Sequence, residues 1–274
     1  MRIGSWAQVA DAAAMLPTAA DLAPGDSKSA GLDLAEFEVH RIRSYEDPCF
    51  DATYQHLWAE FGVKNEMERR ETLAARFALA PEMLYEMVLV QKAGVFAAVR
   101  DHTAIPTEDE VVVHLSHNLV APDFRRSGLG GWMRAMPVAT ARELRPGSAI
   151  TLVAEMEYDD GSDPDRAIRL RAYEKAGFVK VDPSRVNYHQ PDFRAPMVID
   201  VTGGAQPLPF QLLLRRVGRE GESGIRGAEL RQIIAAVYRM YGAQFRPQDM
   251  AHAALDLSPF PANAEVLPLL PPTK

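Results

Sequence analysis

Only one cysteine, Cys49, stands in the 274-residue chain, so no internal disulfide can form. That fits a reducing compartment. A lone thiol leaves a nucleophile conceivable, but an ordinary half-buried cysteine is the plainer reading. Nowhere does an apolar run approach the roughly 20 residues that a membrane-spanning helix needs. Leucine is scarce among the alanine-rich first 23 residues, and Asp11 and Asp21 interrupt them, so the apolar centre of a secretory signal is missing. The expectation is a cytoplasmic protein with no membrane partner. Basic residues are outnumbered as well: Lys plus Arg is 30 against 37 for Asp plus Glu, a formal net charge of −7. Nucleic-acid binding needs a basic face to displace counterions from phosphates, so nucleic acid is not an expected partner. An acidic balance leaves room for a cationic substrate such as an amine. Internal repeats and long low-complexity tracts are lacking too.

What is present is a globular composition, 47% hydrophobic and 24% charged, in a length suited to one large domain or one ordinary domain with additions. Residues 1–35 are small and polar and read as a flexible arm with at most one short helix. Phe37 to Ile42 alternates like a half-buried strand, and Asp47-Pro48 opens a helix that Gly62 ends. A second helix is expected from Asn65 to Ala78. Tyr85–Gln91 and Val95–Arg100 flank Lys92-Ala93-Gly94 as a hairpin, and a Val-rich fourth strand runs from Glu108 to Val120. A helix follows from about Gly131 to Leu144, a fifth strand from Ala149 to Tyr158, and a helix from Asp165 to Ala176 capped by Gly177. Val179–Val181 starts a sixth strand. A proline-rich stretch then leads to the strand Phe210–Val217 and to an amphipathic helix, Arg226–Phe245. The apolar face of that helix covers the core or meets a second subunit, which would make a homodimer. The proline-rich last 25 residues are expected to lie over the surface. This order is a mixed α/β layout.

The chemistry concentrates where the fourth strand ends, at Asp123-Phe124-Arg125-Arg126-Ser127-Gly128-Leu129-Gly130-Gly131-Trp132. Glycines let the backbone turn tightly against a ligand, and the helix that starts there points unpaired N–H groups and its positive dipole end into the turn. Such a turn suits phosphate, with Arg125 and Arg126 adding charge. It is not a P-loop, because Gly131-Trp132 stands where Lys-Ser/Thr is required. Nor is it the dinucleotide fingerprint, whose third glycine would fall on Met133.

About 40 residues on comes Ala172-Tyr173-Glu174-Lys175-Ala176-Gly177-Phe178. With Arg125-x-x-Gly128-x-Gly130 before it, the chain resembles the GNAT superfamily of acyl-CoA-dependent N-acyltransferases over roughly residues 37–217. The resemblance implies a central mixed, mostly antiparallel sheet of six to seven strands, flanked by helices, splayed between strands 4 and 5, and followed by a C-terminal helix. It divides the chain into an arm (1–35), an acyltransferase domain (36–218), and a C-terminal helix and tail (219–274) packed on the same domain. It also implies acetyl-CoA as co-substrate, without a metal. Leu119, Val120 and Ala121 would pair with the pantetheine arm. The turn formed by Arg125, Arg126, Ser127, Gly128, Leu129, Gly130 and Gly131 would hold the pyrophosphate. Tyr173 would protonate the departing thiolate. Two departures stand out: Arg166 occupies the place of an asparagine common in the second motif, and the acidic loop Asp159–Asp165 looks inserted.

An ammonium acceptor must lose a proton before it attacks. Glu155, mid-strand among apolar residues, is the first candidate base, and His117 the second. On a regular strand His114 and His117 face opposite ways, so they do not form a metal pair. The loop Asn187–Arg194 is a candidate lining for the acceptor pocket. The expected activity is acetyl transfer to a primary amine, most simply of a small molecule. A non-catalytic acyl-CoA-binding relative and a transferase of longer acyl chains stay open.

Overall fold

The computed structural model describes residues 16–253 and 260–274. The first fifteen residues of the expected arm lie outside these. The chain opens with a short helix α1 (Ser27–Ala30), strand β1 (Glu38–Ile42) and helices α2 (Phe50–Glu60) and α3 (Arg70–Arg76). Strands β2 (Leu84–Lys92), β3 (Val95–Pro106) and β4 (Glu110–Val120) lead into helix α4 (Leu129–Leu144). Strand β5 (Ala149–Met156), helix α5 (Pro164–Lys175), strands β6 (Val179–Val181) and β7 (His189–Gln190) and helix α6 (Pro196–Val201) follow. Strands β8 (Leu208–Pro209), β9 (Gln211–Arg216) and β10 (Gly224–Arg226), helix α7 (Gly227–Gly242) and strand β11 (Val266–Leu270) complete it.

Local chemistry sets these boundaries. Asp163 caps α5 by accepting from the Asp165 amide at 2.9 Å, and Pro164 takes the first helical position. Ala93 and Gly94 both take left-handed backbone angles, the requirement for the tight β2–β3 hairpin. The helix expected from Asn65 starts only at Arg70, because Asn65 is itself left-handed and ends a short 3-10 turn.

The main sheet runs β1-β2-β3-β4-β5-β9-β6-β11-β10, and β4–β5 is its one parallel pair. The fold is mixed α/β, with a sheet two strands wider than the six to seven expected. The added strands are β10 and β11, so residues 266–270 of the tail enter the sheet instead of lying over it. Leu267 and Leu269 point inward while Pro268, in the strand, makes the segment read as irregular. Helices α4 and α5 cover one face over Ala104, Val111, Val113, Leu152 and Ala154. On the other face α7 packs over Ile105, Val112, Val153 and Leu214, while α2 and α3 pack over Met87, Leu89 and Val99.

Helix α4 contains Pro137, which has no N–H to give to the Met133 carbonyl. Buried Arg100 on β3 fills that vacancy, donating from Nη1 to Met133 O. Burial lowers the Arg100 pKa to about 10, still a cation at neutral pH.

Two features of β4 position the site. Its pairing with β5 ends at Leu115↔Ala154, so Ser116–Val120 is held by β3 alone and the two strands part. Against β3, Asp101 faces His117 and His102 faces Leu115, leaving Ser116 as an extra residue. This bulge resets the alternation.

Candidate functional site

At the parting of β4 and β5 the chain leaves Val120 and turns through Pro122–Phe124 into the glycine segment. Arg126 and Gly128 both adopt positive φ, 65° and 101°. Among the described residues the backbone amides of Arg126, Ser127, Gly128 and Gly130 have no acceptor. Ser127 steadies the turn, donating to Phe124 O at 2.7 Å and accepting from the Leu129 amide at 3.3 Å. Arg125 reaches back to Val120 O at 3.3 Å, whereas the Arg126 side chain is exposed. Leu129 is buried beneath the turn. Unpaired amides, a helix N-terminus and arginines are a combination chemically suited to an anion. Leu119 and Val120 pair with Val99 and Ala98 of β3, and Ala121 donates to Ala97 O, so their opposite edge faces the gap.

The described part of the arm is not free. It runs along α4 and α5, with Ala23 buried among Val138, Leu170 and Phe178. Asp21 takes Arg142 at 2.5 Å, and its carbonyl accepts from Arg215 at 3.0 Å. Asp26 holds Arg134 at 2.6 Å, and Ser29 donates to Gly128 O at 2.6 Å. Two of the glycines are explained by this contact. A Cβ on Gly128 would lie 2.7 Å from the Lys28 carbonyl, and one on Gly131 would lie 2.3 Å from Ser29 Oγ. Around Gly130 nothing comes within 3.8 Å of that position.

Tyr173 projects from α5 on the same face of the sheet, half-buried, its ring edge-on to Phe178 at 4.8 Å. Its phenol lies close enough to Arg100 to influence that guanidinium. Arg166 bonds Glu157 at 3.1 Å and Asp160 at 2.7 Å, tying the acidic loop to α5.

On the opposite face sit the base candidates. The Glu155 side chain is 4% exposed; its Oε2 accepts from Gln190 at 2.8 Å and Tyr241 at 2.7 Å and meets His114 Nε2 at 2.9 Å, and its Oε1 accepts from Tyr188. Of a carboxylate's roughly four acceptor positions, those of Oε2 are all engaged and one remains on Oε1, shielded from solvent. Burial opposes the charge, yet His114 and the tyrosine hydroxyls outweigh it and hold the carboxyl below its ordinary range. Through Tyr188 and Gln190 the loop candidate Asn187–Arg194 meets Glu155, and Phe193 packs on Tyr241. His117 is equally committed. Its Nδ1 meets Asp101 at 2.9 Å and its Nε2 meets the Glu66 carbonyl at 3.0 Å. Burial alone would lower its pKa, but the Asp101 carboxylate prevails and pushes it up to about 9. At neutral pH the ring is a cation with both nitrogens donating.

The bulge at Ser116 also corrects the face assignment. His114 packs on Tyr241 of α7 and His117 on Phe61 beyond α2, both away from α4. The two rings share a face but each has its own carboxylate, Glu155 and Asp101. Among the described residues no three His, Cys, Asp or Glu side chains gather as a metal site. Burial pushes the Cys49 thiol up, away from thiolate reactivity.

One residue escaped the sequence reading. Glu66, in the stretch between α2 and α3, is brought to β4 by the His117 bond to its carbonyl. Its carboxyl is half-buried, and burial together with the nearby Glu157 carboxylate raises its pKa. Nothing local marks it, since its partners lie some 50 and 90 positions away.

No family model matches this chain, and no curated protein does. Solved structures do: the chain is similar to acetyl- and acyltransferases. Naa50 of Arabidopsis thaliana, in complex with the bisubstrate analogue CoA-Ac-MVNAL, shares 10% identity at a TM-score of 0.43, over 66% of this chain and 98% of that one. ElaA of Escherichia coli shares 15% at 0.38, over 65% and 99%. An acyl-CoA N-acyltransferase of Pseudomonas aeruginosa shares 16% at 0.38, again over 65% and 99%. These likenesses are distant, and the site stands on its own geometry.

Proposed function

We propose that the chain is an acyl-CoA-dependent N-acyltransferase that moves an acetyl group to a primary amine, most simply of a small molecule. The observation that supports this best is the parting of β4 from β5 beside a turn with four unbonded amides, with Tyr173 on the neighbouring helix. The turn binds pyrophosphate, and the unpaired edge of Leu119, Val120 and Ala121 takes the pantetheine amides. Binding both fixes the thioester in the gap, which converts a bimolecular encounter into an oriented one.

In the reaction a neutral amine nitrogen attacks the thioester carbon. The C–N bond forms, the C–S bond breaks, and the electron pair leaves on sulfur. Tyr173 donates its phenolic proton to that sulfur. The acceptor's own proton goes to Glu66, whose raised pKa suits a base better than the shielded Glu155, held below its ordinary range, or the cationic His117. Glu155 instead locks β5, the 188–190 loop and α7 together.

The test is a calorimetric titration with acetyl-CoA on the native chain and on Gly130→Glu. Gly130 is the right probe because a side chain there meets no neighbour inside 3.8 Å, whereas Gly128 and Gly131 touch the arm. Micromolar binding, about −8 kcal/mol, abolished by Gly130→Glu supports the reading, and an amine screen with Tyr173→Phe as control follows. Binding without turnover on any amine would favour a non-catalytic acyl-CoA-binding role. No binding by the native chain, nor by a variant without the Asp26 carboxylate that lies against the turn, would end both readings.

A further inference from the structure

The arm segment on the glycine turn carries a carboxylate into a place suited to a phosphate. Asp26 lies against the first turn of α4: a Cβ on Gly131 would sit 2.6 Å from its carboxyl carbon. A helix N-terminus favours a negative group there. The same carboxylate binds Arg134 Nη2 at 2.6 Å, with both side chains largely shielded from solvent. Arg134 Nη1 lies 3.8 Å from where a Gly130 Cβ would be, over the glycine whose amide is unbonded. Its Nε is buried and has no partner among the described residues. The guanidinium thus retains donors that the arm does not use, beside the free amides of the turn. Arginine's planar fork suits two oxygens of one phosphate.

We propose that Arg134 is a phosphate-binding residue of the coenzyme site, and that Asp26 of the arm occupies it until the coenzyme's phosphates displace it. This rests on the acyl-CoA reading above. Within residues 26–31 the other contacts are the buried Ser29 hydroxyl on Gly128 O and the Lys28 carbonyl packed on Gly128, while Gly25 against the Lys175 carbonyl and Leu32 against the core bound the segment on either side. Ala23 is 4% exposed and sits in the core, so the arm stays anchored while residues 26–31 lift. Asp26 and a phosphate cannot share Arg134 without like charges meeting in a shielded place. The arm is therefore an internal competitor, and coenzyme binding is coupled to its release.

The test combines hydrogen exchange with a double-mutant cycle on the full chain. On addition of acetyl-CoA, amides of residues 26–31 exchange faster while those of residues 19–23 do not. Asp26→Asn keeps the size and a hydrogen bond but removes the charge, and it tightens acetyl-CoA binding severalfold, up to about tenfold. Arg134→Gln weakens binding, and in that background Asp26→Asn gives no further gain. Unchanged or slower exchange at 26–31, or equal gains in both backgrounds, overturns the proposal while leaving the acyl-CoA reading standing. If acetyl-CoA binds neither the native chain nor Asp26→Asn, the acyl-CoA reading fails and takes this proposal with it.

Discussion

The His117–Asp101 pair gives stability a pH dependence that can be worked out in advance. His117 titrates near 9 in the folded chain and near 6.5 when unfolded. A folded pKa raised above the unfolded one stabilises fully below about pH 6.5, and that stabilisation fades as pH rises through 9. Across the 2.5-unit window the loss is about 3 kcal/mol, a sizeable part of the 5–15 kcal/mol typical of a domain. The assay is urea unfolding at half-unit steps from pH 6 to 9.5, on the native chain and on Asp101→Asn. Without the carboxylate, burial dominates, His117 is neutral at pH 7, and the variant's stability is flat over the window in which the native chain's falls. Tyr85 also gives its hydroxyl proton to Asp101 at 2.9 Å, so the variant is destabilised throughout; the slope, not the offset, is diagnostic. A ring-proton NMR titration of His117 with a midpoint below 7, or parallel slopes in the two proteins, would refute the reasoning.

Three further outcomes follow from the site. Tyr173→Phe keeps the ring contact with Phe178 but loses the proton, so kcat falls about 10²–10⁴-fold while acetyl-CoA affinity and melting temperature stay close to native. Glu66→Gln removes the group with the raised pKa; the acid limb of the kcat/KM profile disappears, and its survival would exclude Glu66 as base. Glu68→Ala strips the carboxylate from buried Arg76 and costs about 3–5 kcal/mol in chemical unfolding, since Gln244 Oε1 is a neutral substitute.

Much of this was legible in the sequence because it depends on neighbours in the chain. The Ala93-Gly94 hairpin and the glycine turn are each decided within a few residues by backbone angle, and the helix expected from Asp165 starts one residue earlier, at Pro164, behind its Asp163 cap. What was hidden depends on distant partners. Glu155 looked like a buried base because a strand pattern reports burial, but its hydrogen bonds come from Tyr188, Gln190 and Tyr241 in later segments. The bulge at Ser116 has no marker of its own; it follows from how β3 and β4 align. Gly131 reads as a ligand glycine from its motif, whereas it also makes room for Ser29, about 100 positions earlier. Tail residues 266–270 were masked by Pro268, whose ring argues against a strand unless the partner chains are known.

The strand order also bears on how the chain is made. Strand β6 finds its outer neighbour only in β11, about 85 residues later in the chain. At about 5–20 residues per second, β6 spends some seconds as an open edge with an apolar flank. Such an edge invites pairing with another nascent chain. Lys180 at its centre is the one charge there to discourage that, and in the finished protein the same ammonium is taken by the backbone carbonyl of Lys274. Arrival of β11 therefore retires both the open edge and the lysine that guards it.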